Sequence, residues 1–232
     1  MFRKMFAPLL ALCLFGGTAQ AEEQPVLVEL FTSQGCSSCP PADAFLHDLA
    51  AREDVIALAL HVDIWDYIGW KDRFASPRYS ARQRGYADAW NQRMVYTPQM
   101  VIDGAAGVVG NKPRDVEAMI ARERAKADRV DLRLSRDAGV LTIEATPLTE
   151  TEGDLDIMVA RFDPERTIEI TRGENAGHRF SYANVVTDLR DVGDWSADAP
   201  IRMNLPLEGD EPVAVFVQQK GMGRVEAAAA LR

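Results

Sequence analysis

VLVELFTSQGCSSCPPAD, residues 26–43, places two cysteines two residues apart between a buried strand and a helix. The run Val26 to Phe31 is short, nearly continuous and apolar, the pattern of a strand covered on both faces. Thr32 to Gly35 is a polar turn. Pro40 and Pro41 are tolerated only in the first turn of a helix, where the missing N–H groups would have no intrahelical partner anyway. Beyond them Ala42, Phe45, Leu46 and Leu49 recur at i, i+3, i+4 and i+7, which predicts an amphipathic helix to about Arg52. Val55 to Val62 then reads as a second buried strand. Strand, helix and strand in this order predict a right-handed parallel unit, whose strands end at one edge of the sheet. The cysteine turn and the segment after His61 are therefore expected to be neighbours, where ligands gather in such sheets.

The chain has 232 residues and a formal charge of −9. Its first residues read as an export signal: Arg3 and Lys4, an apolar run from Phe6 to Phe15, and the small-residue site Ala19-Gln20-Ala21. Residues 1–21 are the expected signal peptide, with Glu22 as the mature start and a periplasmic or secreted destination. Loss of Arg3 and Lys4 raises the acidic excess from nine to eleven. So acidic a chain, without a basic cluster, excludes nucleic acid as the expected partner. No later apolar stretch is long enough to span a bilayer as a helix, so no membrane insertion is expected after cleavage. Of three cysteines, Cys13 leaves with the signal, and Cys36 and Cys39 remain as a single pair in a compartment where disulfides persist.

Further along, Asp63 to Phe74 is aromatic and irregular, with Trp65, Tyr67, Trp70 and Phe74. Ser80 to Asn91 is helical in pattern, and Thr97-Pro98 precedes a short strand, Gln99 to Ile102, with an Asp103-Gly104 hairpin signal after it. Pro113 opens a third helix ending near Ala127. From Val130 the texture changes to short alternating runs separated by turns, which predict a β-rich, sandwich-like region up to a helical pattern from Arg224 to the end. The expected organisation is an α/β domain over residues 22–127 and a β-rich domain over residues 128–232.

A first cysteine near a helix start is placed to react as a thiolate, because unsatisfied N–H groups and the helix dipole stabilise its charge. The two-residue spacer lets the second thiol attack a mixed disulfide formed by the first. Cys36 is thus the expected nucleophile and Cys39 the resolving thiol, with no cofactor and no metal.

The strand, the CxxC at a helix start and Thr97-Pro98 before a strand together resemble the thioredoxin superfamily. More closely, ELFTSQGCSSCPPAD, HVDIWDYIGWKD, VYTPQMVIDG and GENAGHRFSYANVV resemble an exported bacterial family catalogued as domain of unknown function 1223. The resemblance implies a cis Pro98 facing the disulfide, with Thr97 free to pair with an extended substrate. The implied activity is thiol–disulfide exchange with protein or small-molecule thiols and disulfides of the cell envelope. His61, Asp63 and Trp65 are candidates for tuning the thiols or bordering the substrate. The spacer Ser37-Ser38 departs from the Gly-Pro of the reductant type, the proline after Cys39 is doubled, and the aromatic segment is an insertion. Two other uses of the pair stay open: binding Cu(I) or another soft metal with His61, since soft ligands select such ions, and a plain structural disulfide in a binding protein.

Overall fold

The computed structural model describes residues 24–232. The expected signal segment and the mature start at Glu22 lie outside them. β1 (Val26–Thr32) leads through the cysteine turn into α1 (Pro40–Ala50), and β2 (Val55–His61) returns parallel to β1, with Thr32 opposite His61 in the register. A single 3-10 turn, Asp66–Ile68, lies in the aromatic segment before α2 (Pro77–Ala89). β3 (Gln99–Ile102) pairs antiparallel with β1 on its other side and continues through a hairpin into β4 (Ala106–Val109). α3 (Pro113–Arg124) closes this half.

Every residue of β1 and β2 is buried, because helices cover both faces. Val26, Val28 and Leu30 pack with Leu46, Leu49, Val116 and Ile120 of α1 and α3. Leu27 and Phe31 point the other way, towards Tyr79 and Tyr86 of α2. Glu29 shares that second face. Its carboxylate is buried against Arg82 Nε at 2.6 Å and Nη2 at 2.9 Å, which is how a charge is tolerated in a strand covered on both sides.

The remaining strands are β5 (Val130–Asp137), β6 (Val140–Pro147), β7 (Leu155–Glu169), β8 (Arg179–Trp195), β9 (Ile201–Pro206), β10 (Val213–Gln219) and β11 (Val225–Leu231). Four of them extend the first sheet into an eight-stranded one of order β11-β10-β7-β8-β2-β1-β3-β4. The protein is thus a mixed α/β fold with one large sheet and, among the described residues, three α-helices. β5, β6 and β9 form a second, three-stranded sheet. It stacks on the large one: Leu132, Leu141 and Ile143 meet Ile157, Val159, Val215 and Val217. β10 alternates accordingly, with Ala214 and Phe216 turned to the core under α2.

This corrects the expected division near Asp128. β8 pairs parallel with β2, at Ala59 and Val185, and one apolar core joins Leu27 and Phe31 to Phe162, Phe216 and Ala228. Residues beyond 128 complete the sheet that carries the cysteines instead of forming a separate β-rich unit. The helical pattern from Arg224 is also corrected. Its alanines form the edge strand β11, where packing on β10 and β5 overrides helix propensity. No helix among the described residues is long and apolar enough to cross a membrane.

Candidate functional site

The cysteine turn sits where β1 ends. Cys36 N–H donates to the Ser33 carbonyl at 3.0 Å and Cys39 N–H to the Cys36 carbonyl at 3.3 Å, so the turn coils by one step into α1. Cys39 is the N-cap of that helix, and its carbonyl accepts the Ala42 and Asp43 amides. Cys36 therefore precedes the helix by a turn, and it is Cys39 that lies closest to the helix N-terminal field. The two are joined in a disulfide of 2.07 Å. Their exposure differs: Cys36 retains 6% of its surface and Cys39 none. Both cysteines are buried, and what little surface the pair shows belongs to Cys36.

Each neighbour is placed by a different element. Ser38 Oγ lies 3.5 Å from Cys36 Sγ and 3.4 Å from the Thr97 carbonyl, to which it donates, tying the turn to the loop before β3. The Thr97–Pro98 peptide is cis. Trp65, from the aromatic segment, donates its indole N–H to Thr97 Oγ1 at 2.8 Å. Its Cβ lies 3.4 Å from where a Cβ on Gly35 would stand, so the segment packs directly over the residue before Cys36. Trp65 and Thr97 are thus brought together beside the cysteines. Tyr67, beside Trp65, is 78% exposed, whereas Trp70 is core. Asp63 is engaged elsewhere, accepting the Ser80 hydroxyl of α2.

Behind the disulfide lies a buried polar cluster. Asp43 is one helical turn beyond Cys39 on the same face of α1. Burial pushes its carboxyl up to about 7, opposed by the hydrogen bond it accepts from Thr32 Oγ1 at 2.6 Å and by the nearby His61. His61, at the end of β2, is fully buried between the rings of Phe74 and Tyr182. Its Nδ1 lies 2.8 Å from Asp72 Oδ2, which also accepts the Gln34 amide at 2.7 Å, while Asp72 Oδ1 accepts Phe74 N–H. Gln34 in turn accepts from Trp70 Nε1 at 2.8 Å. Asn175, in the loop between β7 and β8, donates its amide group to the carbonyls of Gln34 at 2.9 Å and Cys36 at 3.1 Å. Gly173 lets that loop approach: with φ of +81°, it leaves only 3.2 Å between a Cβ at that position and Trp70.

Asp43, Asp72 and Asn175 are the site residues that sequence reasoning misses. Asp43 carries a faint signal, an acid four residues after a cysteine on a predicted helix. Asn175 lies 139 residues from Cys36 and has none. For the soft-metal alternative, the described residues contain one group of three with ligand atoms within 4.8 Å of one another, Asp156, Asp191 and Asp194, and it excludes Cys36, Cys39 and His61.

Fold and site together define a mixed α/β protein with a disulfide at the head of a helix. Residues 27–218 match the family described as a protein of unknown function, DUF1223, and the chain belongs to that family. It is similar to a protein of Agrobacterium tumefaciens solved by X-ray crystallography, 31% identical with a TM-score of 0.78 over 91% of this chain and 96% of that one. The fold is also shared with HBP35 of Porphyromonas gingivalis, 14% identical, with a TM-score of 0.60 over 90% of this chain and 75% of that one. Among curated proteins there is no significant match.

Proposed function

We propose that the protein is an exported, thioredoxin-like thiol–disulfide oxidoreductase that exchanges disulfides through Cys36 and Cys39 with thiol-bearing proteins or small molecules of the cell envelope. The observation that carries this reading is the asymmetry of the pair. A buried Cys36 that keeps 6% of its surface is bonded to a fully sealed Cys39 that caps α1 and stands one turn above Asp43, whose carboxyl is raised to about 7.

The asymmetry supports one order of steps. A substrate thiolate attacks Cys36 Sγ, forming a bond between the two sulfurs and breaking the Cys36–Cys39 bond. The electron pair leaves on Cys39, where the helix N-terminus favours a thiolate and so a good leaving group. Asp43, protonated below about pH 7, then supplies the proton that neutralises Cys39. Run in reverse, Asp43 takes that proton back and Cys39 attacks the mixed disulfide at Cys36. The Ser38 hydroxyl, 3.5 Å from Cys36 Sγ, can turn its one hydrogen from the Thr97 carbonyl to a thiolate there. A bond meant only to staple the chain gains little from closing so short a loop.

Trapping tests this. Cys39→Ser, incubated with a disulfide substrate, is expected to accumulate a mixed disulfide at Cys36. Cys36→Ser is expected to accumulate none, and equal trapping by both variants would contradict the assignment.

A further inference from the structure

His61 Nε2 is a buried polar atom without a hydrogen-bond partner among the described residues, on a residue with no exposed surface. Leaving such an atom unsatisfied costs about 1–3 kcal/mol, and an apolar ring would fill the same space between Phe74 and Tyr182 at lower cost. Asp72 accepts amide hydrogens from Gln34 and Phe74, so its Oδ2 acts as an acceptor and His61 Nδ1 carries the hydrogen between them. Nε2 is then the one position of the ring free to gain or lose a proton. The register opposes His61 to Thr32, whose hydroxyl holds Asp43. The ring is therefore enclosed by Asp43 from α1, Asp72 from the aromatic segment and Tyr182 from β8, and His61 and Asp72 act on the Asp43 carboxyl in opposite senses.

We propose that the Asp72–His61 pair is a buried proton store for the dithiol, in which His61 Nε2 takes up a proton when the Cys36–Cys39 disulfide is opened. The proposal rests on the exchange reading and supplies the positioning groups behind it. While the disulfide is closed, a protonated Asp43 is neutral and Asp72 is the sole negative charge in the cluster. Attack on Cys36 puts an electron pair on Cys39, and Asp43 neutralises it by giving up its proton. Two carboxylates then face each other in a dry pocket, and their repulsion falls when the imidazole becomes positive. The balance closes: the substrate thiol loses a proton to solvent as it becomes a thiolate, and one proton from solvent is taken up at His61 Nε2. Oxidation runs the same transfers backwards. Because His61 touches neither sulfur nor substrate, its part is to set the charge that Asp43 meets.

The test counts protons. The disulfide is opened with a phosphine reductant, which works whether or not the protein exchanges with thiols, and proton uptake is followed in weak buffer from about pH 6 to 8. The wild type is expected to take up about one proton more than His61→Asn, a variant that keeps an N–H for Asp72 and removes the titrating nitrogen. Should that variant fold poorly, labelled-imidazole NMR of the wild type reads the same event, since the chain has only three histidines. The His61 ring is expected to become doubly protonated on reduction while His47 and His178 stay unchanged. Equal proton uptake in the two proteins, or a His61 ring with the same protonation in both redox states, would overturn the proposal. Failure to exchange with glutathione while His61 still protonates on phosphine reduction would instead count against the exchange reading alone.

Discussion

Two polar clusters are buried in this protein, and they are built to opposite standards. Under α2, Arg82 is held by Glu29, Tyr86 and Gln218, and none of these four residues has a buried polar atom without a partner. Behind the cysteine turn, Asp43, His61, Asp72 and Gln34 are equally buried, yet His61 Nε2 and Gln34 Nε2 lack partners among the described residues and Asp43 is held far above the ordinary carboxylate range. The first cluster has one preferred charge arrangement and pins α2 to the sheet. The second leaves two buried side-chain nitrogens unpaired beside a carboxyl raised by burial. Under the proposed exchange, the fully satisfied cluster serves the architecture, and the incompletely satisfied one behind the disulfide serves the chemistry.

The largest expected effect breaks the first cluster. Arg82→Met leaves Glu29 buried without its cation, and the expected loss of stability is about 3–5 kcal/mol by chemical denaturation. Disulfide exchange per folded molecule should stay unchanged. A cost below about 1 kcal/mol would remove the structural half of the comparison.

The next effect is a pH dependence. Asp43 has a folded-state pKa raised from 3.8 to about 7, so the folded protein binds more protons than the unfolded chain between those values. Stability should therefore fall as pH rises from about 4 to about 7, by up to about 1.4 kcal/mol per pH unit for each such group, and level off above. Asp103, also raised to about 7 by burial, contributes the same sign. Asp43→Asn is expected to remove its share of the slope and to exceed the wild type in stability above pH 7. A variant with the full wild-type slope would show that Asp43 ionises freely.

A smaller effect is expected at Asn175. Asn175→Ala removes both hydrogen bonds to the cysteine turn, costing about 1–3 kcal/mol and slowing exchange as the turn loosens. Loss of stability with an unchanged exchange rate would make Asn175 architectural, like Arg82.

What the sequence discloses follows the range of the interactions. β1, α1 and β2 are legible because apolar spacing and the prolines act over a few residues, and Cys36, Cys39 and Thr97-Pro98 are legible through the turns that hold them. The pairing of β8 with β2 leaves no local trace, since it joins strands more than a hundred residues apart through a register that begins at Ala59 and Val185. The same distance hides Asn175. Val225 to Leu231 misleads, because its alanines favour a helix locally while the edge of the sheet recruits them as a strand. His61 is legible as a neighbour of the cysteines, but its partner Asp72 is fixed by the path of the aromatic segment, which has no periodicity to read.

The central claim is that the Cys36–Cys39 bond opens and closes in exchange with thiols, and equilibration in glutathione buffers of graded redox poise tests it most directly. The account predicts that the oxidised and reduced forms of the pair interconvert reversibly, with the same midpoint from either direction and with glutathione found on Cys36 at intermediate poise. A disulfide that stays closed across the whole series, or glutathione found on Cys39 instead, would contradict it.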